Sequence, residues 1–238
     1  KDSRFQGYGG VMPPVSNANY AWIEHIISKM DVNHGIAGFL LANGALNADG
    51  DEQVIRKSII EKDLVEAIII LPRNMFYTTD ISVTLWILNM NKKAGNINDR
   101  AVRERSREVL FMDLRTWNQN IEEIVIDKGK KTKKKTTIFT DDQIAKVKEI
   151  YSHWQAPDKS GYEDVPELCQ SVSLEEIRQQ DYSLAPSKYI EFIDHDLDID
   201  YKKEMTRIQQ EMRDILKTEK ESQKMLAEAF RGIGYDID

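Results

Sequence analysis

The chain has 238 residues, 41% of them hydrophobic, enough to build the core of one large domain or of a domain with an appendage. Thirty-three basic against forty acidic residues leave a formal net charge of -7, which argues against a protein that coats nucleic acid indiscriminately. Any contact with DNA must therefore come from a local basic patch or through a partner.

The sequence lacks the patterns of membrane, secreted and zinc-binding proteins. Its apolar runs stay well short of the roughly 20 residues that cross a bilayer, and residues 1–4 do not begin a signal peptide, so we expect a cytoplasmic protein with no membrane partner. A single cysteine, Cys169, is predicted to be a free structural thiol, and the four histidines show no metal-site spacing. Because the chain starts at Lys1 within a loop-like stretch, we expect a fragment of a longer protein.

Hydrophobic spacing near the start of the chain predicts helices that alternate with strands. A helix with one buried face is expected at residues 20–30, from the spacing of Trp22, Ile23, Ile26, Ile27 and Met30. The apolar run 35–42 predicts a strand buried on both faces, residues 51–60 a helix, and residues 64–71 a second buried strand. This alternation is typical of a parallel α/β sheet.

The following segments predict two more strands. Residues 81–89 come only about nine residues after the second strand, too few for a parallel crossover, so this third strand should be antiparallel to its partner. The apolar run 109–113 is predicted to be an edge strand, and the charged stretch 92–107 a surface connection.

Six lysines are packed into residues 128–135, and charges this dense should repel one another and keep the segment extended. Two interpretations stay open for this run. It is either a solvated loop or a contact with DNA phosphates made by Lys130, Lys131, Lys133, Lys134 and Lys135.

Local signals predict three helices in the last hundred residues. Thr140 caps a helix over 141–154, and Ser173 opens a short one with a Ser-x-x-Glu capping box. A long amphipathic helix is expected at 201–230, its apolar stripe consisting of Met205, Ile208, Met212, Ile215, Leu226 and Ala229. Glu219 and Ser222 interrupt that stripe, which favours a partner-specific contact over a continuous coiled coil.

Five ordered motifs resemble one family. They are Pro13 to Trp22, Asn43-Gly44-Ala45-Leu46, Ile55 to Glu61, Leu71-Pro72-Arg73-Asn74-Met75-Phe76-Tyr77, and Asp181-Tyr182-Ser183-Leu184 with Ser187-Lys188-Tyr189. Together they are similar to the methyltransferase subunits of type I restriction-modification systems, which methylate adenine N6 in DNA. Ala42, Thr78 and Asp80 depart from the residues usual in that family.

The resemblance implies a fold and a division of the chain. The fold would be the C-terminal half of a Rossmann-like S-adenosylmethionine-dependent methyltransferase sheet, with its last strand antiparallel, followed by a helical tail. The expected parts are a partial α/β domain at 1–139, a helical and linker extension at 140–200, and the long helix and tail at 201–238.

The resemblance also implies an activity for the longer protein and partners for it. The family's glycine motif for the cofactor and its Asn-Pro-Pro-Phe or Asn-Pro-Pro-Tyr catalytic motif should precede residue 1, so this chain alone is expected to be inactive and not to bind S-adenosylmethionine. A specificity subunit would choose the DNA sequence, and a restriction subunit would join in the full system. The partner-binding residues would be Met205, Ile208, Met212, Ile215 and Leu226.

Site residues follow from the same motifs. Asn74, Phe76 and Tyr77 are candidates for the pocket of the extruded adenine, although an aromatic pair beside a strand also fits hydrophobic packing. Asn17, Ala18 and Tyr20 would lie next to the cofactor, although Asn17 also fits a helix cap. The acidic run 194–200 lacks the glycine and glutamate of a calcium loop and is not assigned to metal.

Two other functions remain open. The chain could be a non-catalytic interaction module that works through its C-terminal helix, or another nucleotide-using α/β enzyme. In addition, strand 35–42 should present an unpaired edge, so self-association of the sheet is expected there.

Overall fold

The structure is a computed structural model in which two compact units, Lys1–Phe192 and Ile193–Asp238, are each described by themselves. It describes residues 2–5, 7–76, 79–97, 99–127, 131–193, 200–232 and 234–235, and within these ranges only the backbone of residues 122–127 and 131–135. The predicted boundaries at 139/140 and 200/201 stay predictions.

The first unit begins with two helices and three strands. These elements are α1 (Asn19–Ile27), β1 (Ile36–Ala42), α2 (Asp51–Glu61), β2 (Val65–Ile70) and β3 (Val83–Asn89). β3 lies between β1 and β2 and is antiparallel to both, which confirms its predicted direction.

The rest of the first unit extends the sheet and adds two hairpins. Its elements are β4 (Gly95–Ile97), β5 (Arg100–Val102), β6 (Glu108–Asp113), β7 (Ile121–Asp127), β8 (Lys131–Thr137), α3 (Asp141–Gln155), β9 (Cys169–Ser173) and α4 (Leu174–Gln179). The sheet order is β1-β3-β2-β6-β9, and β2 with β6 is its parallel pair. The fold is therefore a mixed α/β sheet rather than a purely parallel one.

Two strand predictions are wrong in the structure. β6 is not at an edge, because β9 pairs with it in antiparallel register from Glu108↔Ser173 to Met112↔Cys169. β1 is not buried on both faces, because Ile36 and Leu40 are 50% and 43% exposed on its outer face.

Helices cover the two faces of this sheet. On one face, Tyr20 and Ile23 of α1 pack with residues of α2, α4 and the strands around Trp86. On the other face, Trp154 of α3 packs with strand residues such as Ile69 and Met112. Cys169 is buried and free, as predicted.

The helix predictions hold because capping is local. Thr140 with Gln143 and Ser173 with Glu176 both form the reciprocal capping box at the starts of α3 and α4. Within α1 the prediction of the buried face is partly wrong, because Trp22 is 60% exposed while Glu24 is fully buried.

The charged connection 92–107 lies at the surface as predicted, since most of its described residues are exposed or half-buried, and two buried cations hold it to the sheet. Lys92 Nζ donates to the Val65 carbonyl at 3.0 Å and to Asp63 at 2.5 Å. Arg105 Nε donates to Glu66 Oε1 at 3.0 Å, and both of these side chains are fully buried. These contacts fasten the β4–β5 hairpin to the start of β2.

The second unit contains α5 (Tyr201–Gly232), which confirms the predicted long helix. Along the described part of the chain, none of the helices has both the length and the apolar character required to cross a membrane.

Candidate functional site

The candidate site lies where β1, β2 and β6 end on the same side of the sheet. These three strands run in one direction, since β3 is antiparallel to β1 and β2, and β6 is parallel to β2. We call this side the carboxyl edge and define it by residues 43–46, 71–82 and 113–115. Open α/β sheets bind ligands beyond the carboxyl ends of their strands, so this edge is where a site is expected.

Asn43 connects the turn after β1 to the loop after β2. Its Nδ2 donates to Ser82 Oγ at 3.2 Å, and its Oδ1 accepts from Thr84 Oγ1 at 2.6 Å. Ser82 Oγ in turn donates to the Leu71 carbonyl at 2.6 Å. The Asn-Gly and Leu-Pro motifs, well separated in sequence, therefore meet at the carboxyl edge.

The loop 71–82 holds the residues predicted for the base pocket. Asn74 adopts a left-handed backbone with φ of 63°, and its N–H donates to the Asp80 carbonyl at 3.3 Å. Arg73 pairs with Asp80 at 3.0 Å. Phe76 lies half-buried on this loop, whereas Tyr77 falls outside the described residues. The structure thus places Asn74 and Phe76 together, and their role with a base stays a prediction.

The strand that carries the lysine-rich run ends next to this loop. The Thr137 N–H donates to the Asn74 carbonyl at 2.8 Å, which joins the end of β8 to the candidate base loop. The described part of the run, residues 131–135, belongs to the strand β8, which pairs with β7 from Ile121↔Thr137 to Asp127↔Lys131, so this part is a strand and not a loop. Its contact with DNA phosphates stays a prediction. Lys130 lies outside the described residues, and only the backbone is described for Lys131, Lys133, Lys134 and Lys135.

Tyr20 is a core residue that supports the turn after β1. It is fully buried, its hydroxyl donates to the Ala45 carbonyl at 2.6 Å, and its ring packs edge-on against Trp86. Burial raises the pKa of the Tyr20 hydroxyl to about 12, so it stays protonated and donating. Any contact of this motif with a cofactor would have to come from Asn17 or Ala18.

Asn17 is engaged with protein partners at the start of α1. Its Oδ1 accepts from the Asn19 N–H at 3.2 Å, and its Nδ2 donates to Glu52 Oε2 at 3.2 Å. The N-cap position of α1 is Ala18 and carries no side-chain cap hydrogen bond, so Asn17 is not the predicted helix cap but closes a local turn just before the helix. Ala18 is exposed beside it.

Two of the three residues predicted to lie next to S-adenosylmethionine already have partners within the protein. Gly9 is needed for packing, because a Cβ there would lie 2.5 Å from Val54 Cγ1, whereas a Cβ at Gly7 or Gly10 would meet no atom within 4 Å. Asn17 and Tyr20 are both committed to protein contacts. The described residues also contain no group of three metal-ligating side chains.

The sequence prediction missed two buried polar features, one beside the turn after β1 and one at the start of β2. Arg56, on the buried face of α2, donates to the carbonyls of Ala48 and Tyr182. Glu66 accepts from Arg105, Asn89 and Gln155 inside the protein. The position of Arg56 between the buried isoleucines 55 and 59 was a sequence signal for its burial. No sequence signal indicated the contacts of Glu66.

Comparison with protein families gives the identity of the fold. The model of the family described as N-6 DNA Methylase matches residues 1–197. The chain belongs to the N-6 DNA methylase family. The resemblance found in the sequence is thereby confirmed.

Two similar curated proteins are methylase subunits of type I restriction enzymes. The HindI subunit of Haemophilus influenzae is 33% identical over 226 residues, which cover 94% of this chain and 45% of that protein. The MjaVII subunit of Methanocaldococcus jannaschii is 33% identical over 212 residues, which cover 89% of this chain and 31% of that protein. The chain thus spans less than half the length of these relatives.

A solved structure extends the similarity to three dimensions. The type I restriction-modification methyltransferase subunit of Streptococcus thermophilus matches with a TM-score of 0.60 and 28% identity. The match covers 80% of this chain and 34% of that subunit. The mixed sheet of this N-6 DNA methylase family member is therefore similar to part of a methyltransferase fold.

Proposed function

We propose that this chain is part of the modification subunit of a type I restriction-modification system. The longer protein would transfer a methyl group from S-adenosylmethionine to adenine N6 in DNA. The observation that carries the proposal is the meeting of the Asn74–Phe76 loop with the end of the lysine-rich strand, held by the Thr137–Asn74 hydrogen bond in a member of the N-6 DNA methylase family. In this proposal the sheet is the second half of a Rossmann-like methyltransferase sheet.

Methylating the adenine amino group inside a duplex requires the base to leave the helix. Extrusion costs on the order of a few kcal/mol of stacking and pairing, and an aromatic ring in the pocket restores part of it. Phe76 would supply that ring, on a loop whose backbone is fixed through both the N–H and the carbonyl of Asn74. No Asn-Pro dipeptide occurs in this sequence, so acceptors for the amino hydrogens must come from the remainder of the longer protein.

The hairpin β7–β8 would contact the DNA backbone beside that base. Its lysines concentrate positive charge in a chain whose net charge is -7. They would neutralise DNA phosphates and would not recognise the base sequence. Choice of the DNA site would belong to a specificity subunit, bound through the apolar stripe of α5, and a restriction subunit would complete the system. The exposed fractions of Met205, Ile208, Met212, Ile215 and Leu226 run from 37% to 67%, so this stripe is open to a partner.

The test compares Phe76→Leu with Phe76→Tyr in the longer protein, assembled with its specificity subunit. Transfer of labelled methyl groups to adenine should fall about tenfold in Phe76→Leu, which loses the stacking face, and stay near wild type in Phe76→Tyr. Equal activity of wild type and Phe76→Leu would contradict the assignment of Phe76 to the base pocket. No methylation by the wild-type assembly would contradict the proposed enzyme and favour a non-catalytic interaction module.

A calorimetric titration of the 238-residue chain tests its own contribution. We expect no heat of binding with S-adenosylmethionine or with nucleotides, because Asn17 and Tyr20 are engaged in protein contacts and the family's cofactor motif is expected upstream of residue 1. Measurable affinity for a nucleotide would instead favour a different nucleotide-using α/β enzyme.

A further inference from the structure

The segment around Asp181–Leu184 folds back onto the turn that follows β1. We infer that Arg56 is a positioning residue, which fastens this segment to residues 43–48 and thereby sets the place of the loop that carries Phe76. The inference rests on the proposed function for its consequence in catalysis, and on contacts within this chain for the positioning itself.

Arg56 is buried and uses two donors of one rigid group. Its side chain lies between α2 and the turn with 2% exposure, Nη1 donating to the Ala48 carbonyl at 2.6 Å and Nε to the Tyr182 carbonyl at 2.8 Å. A planar guanidinium holds two such acceptors at fixed angles, whereas a lysine ammonium cannot. The arginine therefore fixes the distance between two segments that are remote in sequence.

Neighbouring carbonyls of the same turn are fixed from other elements. The Leu184 N–H donates to the Leu46 carbonyl at 2.8 Å, and the Tyr20 hydroxyl donates to the Ala45 carbonyl at 2.6 Å. Ala45, Leu46 and Ala48 thus each accept from a different part of the chain. A turn held at three carbonyls from three sides has little freedom to move.

The clamping segment itself is strained and held in place. Asp181 and Tyr182 both have left-handed backbone, with φ of 51° and 55°. Residues other than glycine adopt this conformation at an energetic cost and keep it where several contacts hold them in it. Here Gln53 donates to Asp181 at 2.7 Å and the Tyr182 hydroxyl donates to Glu61 at 2.6 Å. Strain that is fixed in this way is typical of segments that position a site.

The turn passes its position on to the candidate base loop. Asn43, its first residue, donates to Ser82, and Ser82 donates to the carbonyl of Leu71, where the loop begins. The Leu71 N–H donates to the Val83 carbonyl at 2.9 Å and closes the loop. Loosening the turn at Ala48 should therefore increase the mobility of the backbone at Leu71.

Hydrogen exchange on the 238-residue chain tests the positioning. Arg56→Lys should speed exchange about tenfold at the amides of Leu184 and Leu71, while the β6 amide of Phe111 stays at its wild-type rate. Arg103→Lys is the matched control, since it makes the same change at a guanidinium that donates to the Trp154 carbonyl and to Glu108, and it should leave exchange at Leu184 and Leu71 unchanged. A change at Leu184 without one at Leu71, or a uniform change at all three amides, would overturn the inference.

If Arg56→Lys does not fold, Gln53→Ala loosens the same segment from outside through Asp181. It should give the same local pattern at Leu184 and Leu71 with a smaller amplitude, and unchanged exchange at both amides would overturn the inference.

Kinetics of the longer protein test the consequence for catalysis. Arg56→Lys should lower kcat about tenfold and leave the Kd for DNA within about twofold, because the loop is misplaced rather than absent. An unchanged kcat beside faster exchange at Leu71 would show that the turn positions nothing catalytic and would overturn the inference. Absence of methylation by the wild type would instead count against the proposed function, and the exchange pattern would still decide the positioning.

Discussion

Glu24 is the residue whose surroundings conflict most with its charge. It lies on the buried face of α1 beside Ile23 and Ile27, fully buried, and both of its carboxylate oxygens lack a hydrogen-bond partner among the described residues. Burial raises its pKa from an ordinary 4.5 to about 7. Below that value the folded chain holds Glu24 neutral.

This burial makes stability depend on pH in a stated direction. Between pH 4.5 and about 7 the folded chain keeps a proton that the unfolded chain has lost, so the free energy of unfolding falls as pH rises through that window. Glu24→Gln removes the titration. In urea unfolding, the variant should gain on the order of 2 kcal/mol relative to wild type between pH 5 and pH 8. A constant difference across this range would contradict the buried, partnerless carboxyl.

Single residues also show the limit of sequence periodicity. The hydrophobic spacing in α1 predicted a buried stripe that included Trp22 and left out Glu24. A residue at the border of such a stripe can face either the core or the solvent, and spacing alone does not distinguish the two orientations. The burial of Lys92 and Arg105 depends on Asp63 and Glu66, which come from another element. No local pattern contains that information.

At the scale of elements, those defined by local chemistry were the predictable ones. The capping boxes of α3 and α4 are contained in a few adjacent residues. β8 and β9 were missed because a lysine-rich or a Ser/Gln-containing segment becomes a strand only through its partner, β7 or β6. The same reason made β6 resemble an edge strand.

The lysine hairpin gives a prediction about DNA. We expect the chain to bind duplex DNA more weakly when glutamine replaces Lys133, Lys134 and Lys135 together. The slope of log Kd against the log of the salt concentration should decrease by up to about 3. Fluorescence anisotropy over a salt series measures both. The matched control changes Lys217, Lys220 and Lys224 of α5, which removes the same charge. An equal loss in both variants would indicate a general charge effect and no contact by the hairpin.

The apolar stripe of α5 gives a prediction about the partner. Ile208→Glu and Met212→Glu should each weaken capture of the specificity subunit about tenfold, because a charge would be buried in the contact. Gln210→Glu, on the opposite side of the helix, introduces the same charge and should leave capture near wild type. Co-purification with the specificity subunit at graded salt compares them. Similar capture by all three variants would exclude the stripe as the contact.

For the whole molecule, the sheet has two ends that differ in their protection. β9 at one end is followed directly by α4, whereas β1 at the other pairs only with β3 among the described residues and exposes Ile36 and Leu40. The order of strands could not be obtained from the sequence, because the insertion of β3 between β1 and β2 depends on long-range pairing. An unpaired strand edge with apolar residues beside it is a site of association.

We therefore predict that the chain self-associates through β1. Light scattering should show species larger than a monomer at micromolar concentration, and Leu40→Lys should shift them towards the monomer, since a charge on an edge strand opposes pairing. Ile208→Lys is the control, because it places the same charge on the apolar stripe of α5. It should leave the association through β1 unchanged. A stable dilute monomer whose β1 amides are protected from exchange would contradict the prediction, because such protection would mean that the chain itself already covers this edge.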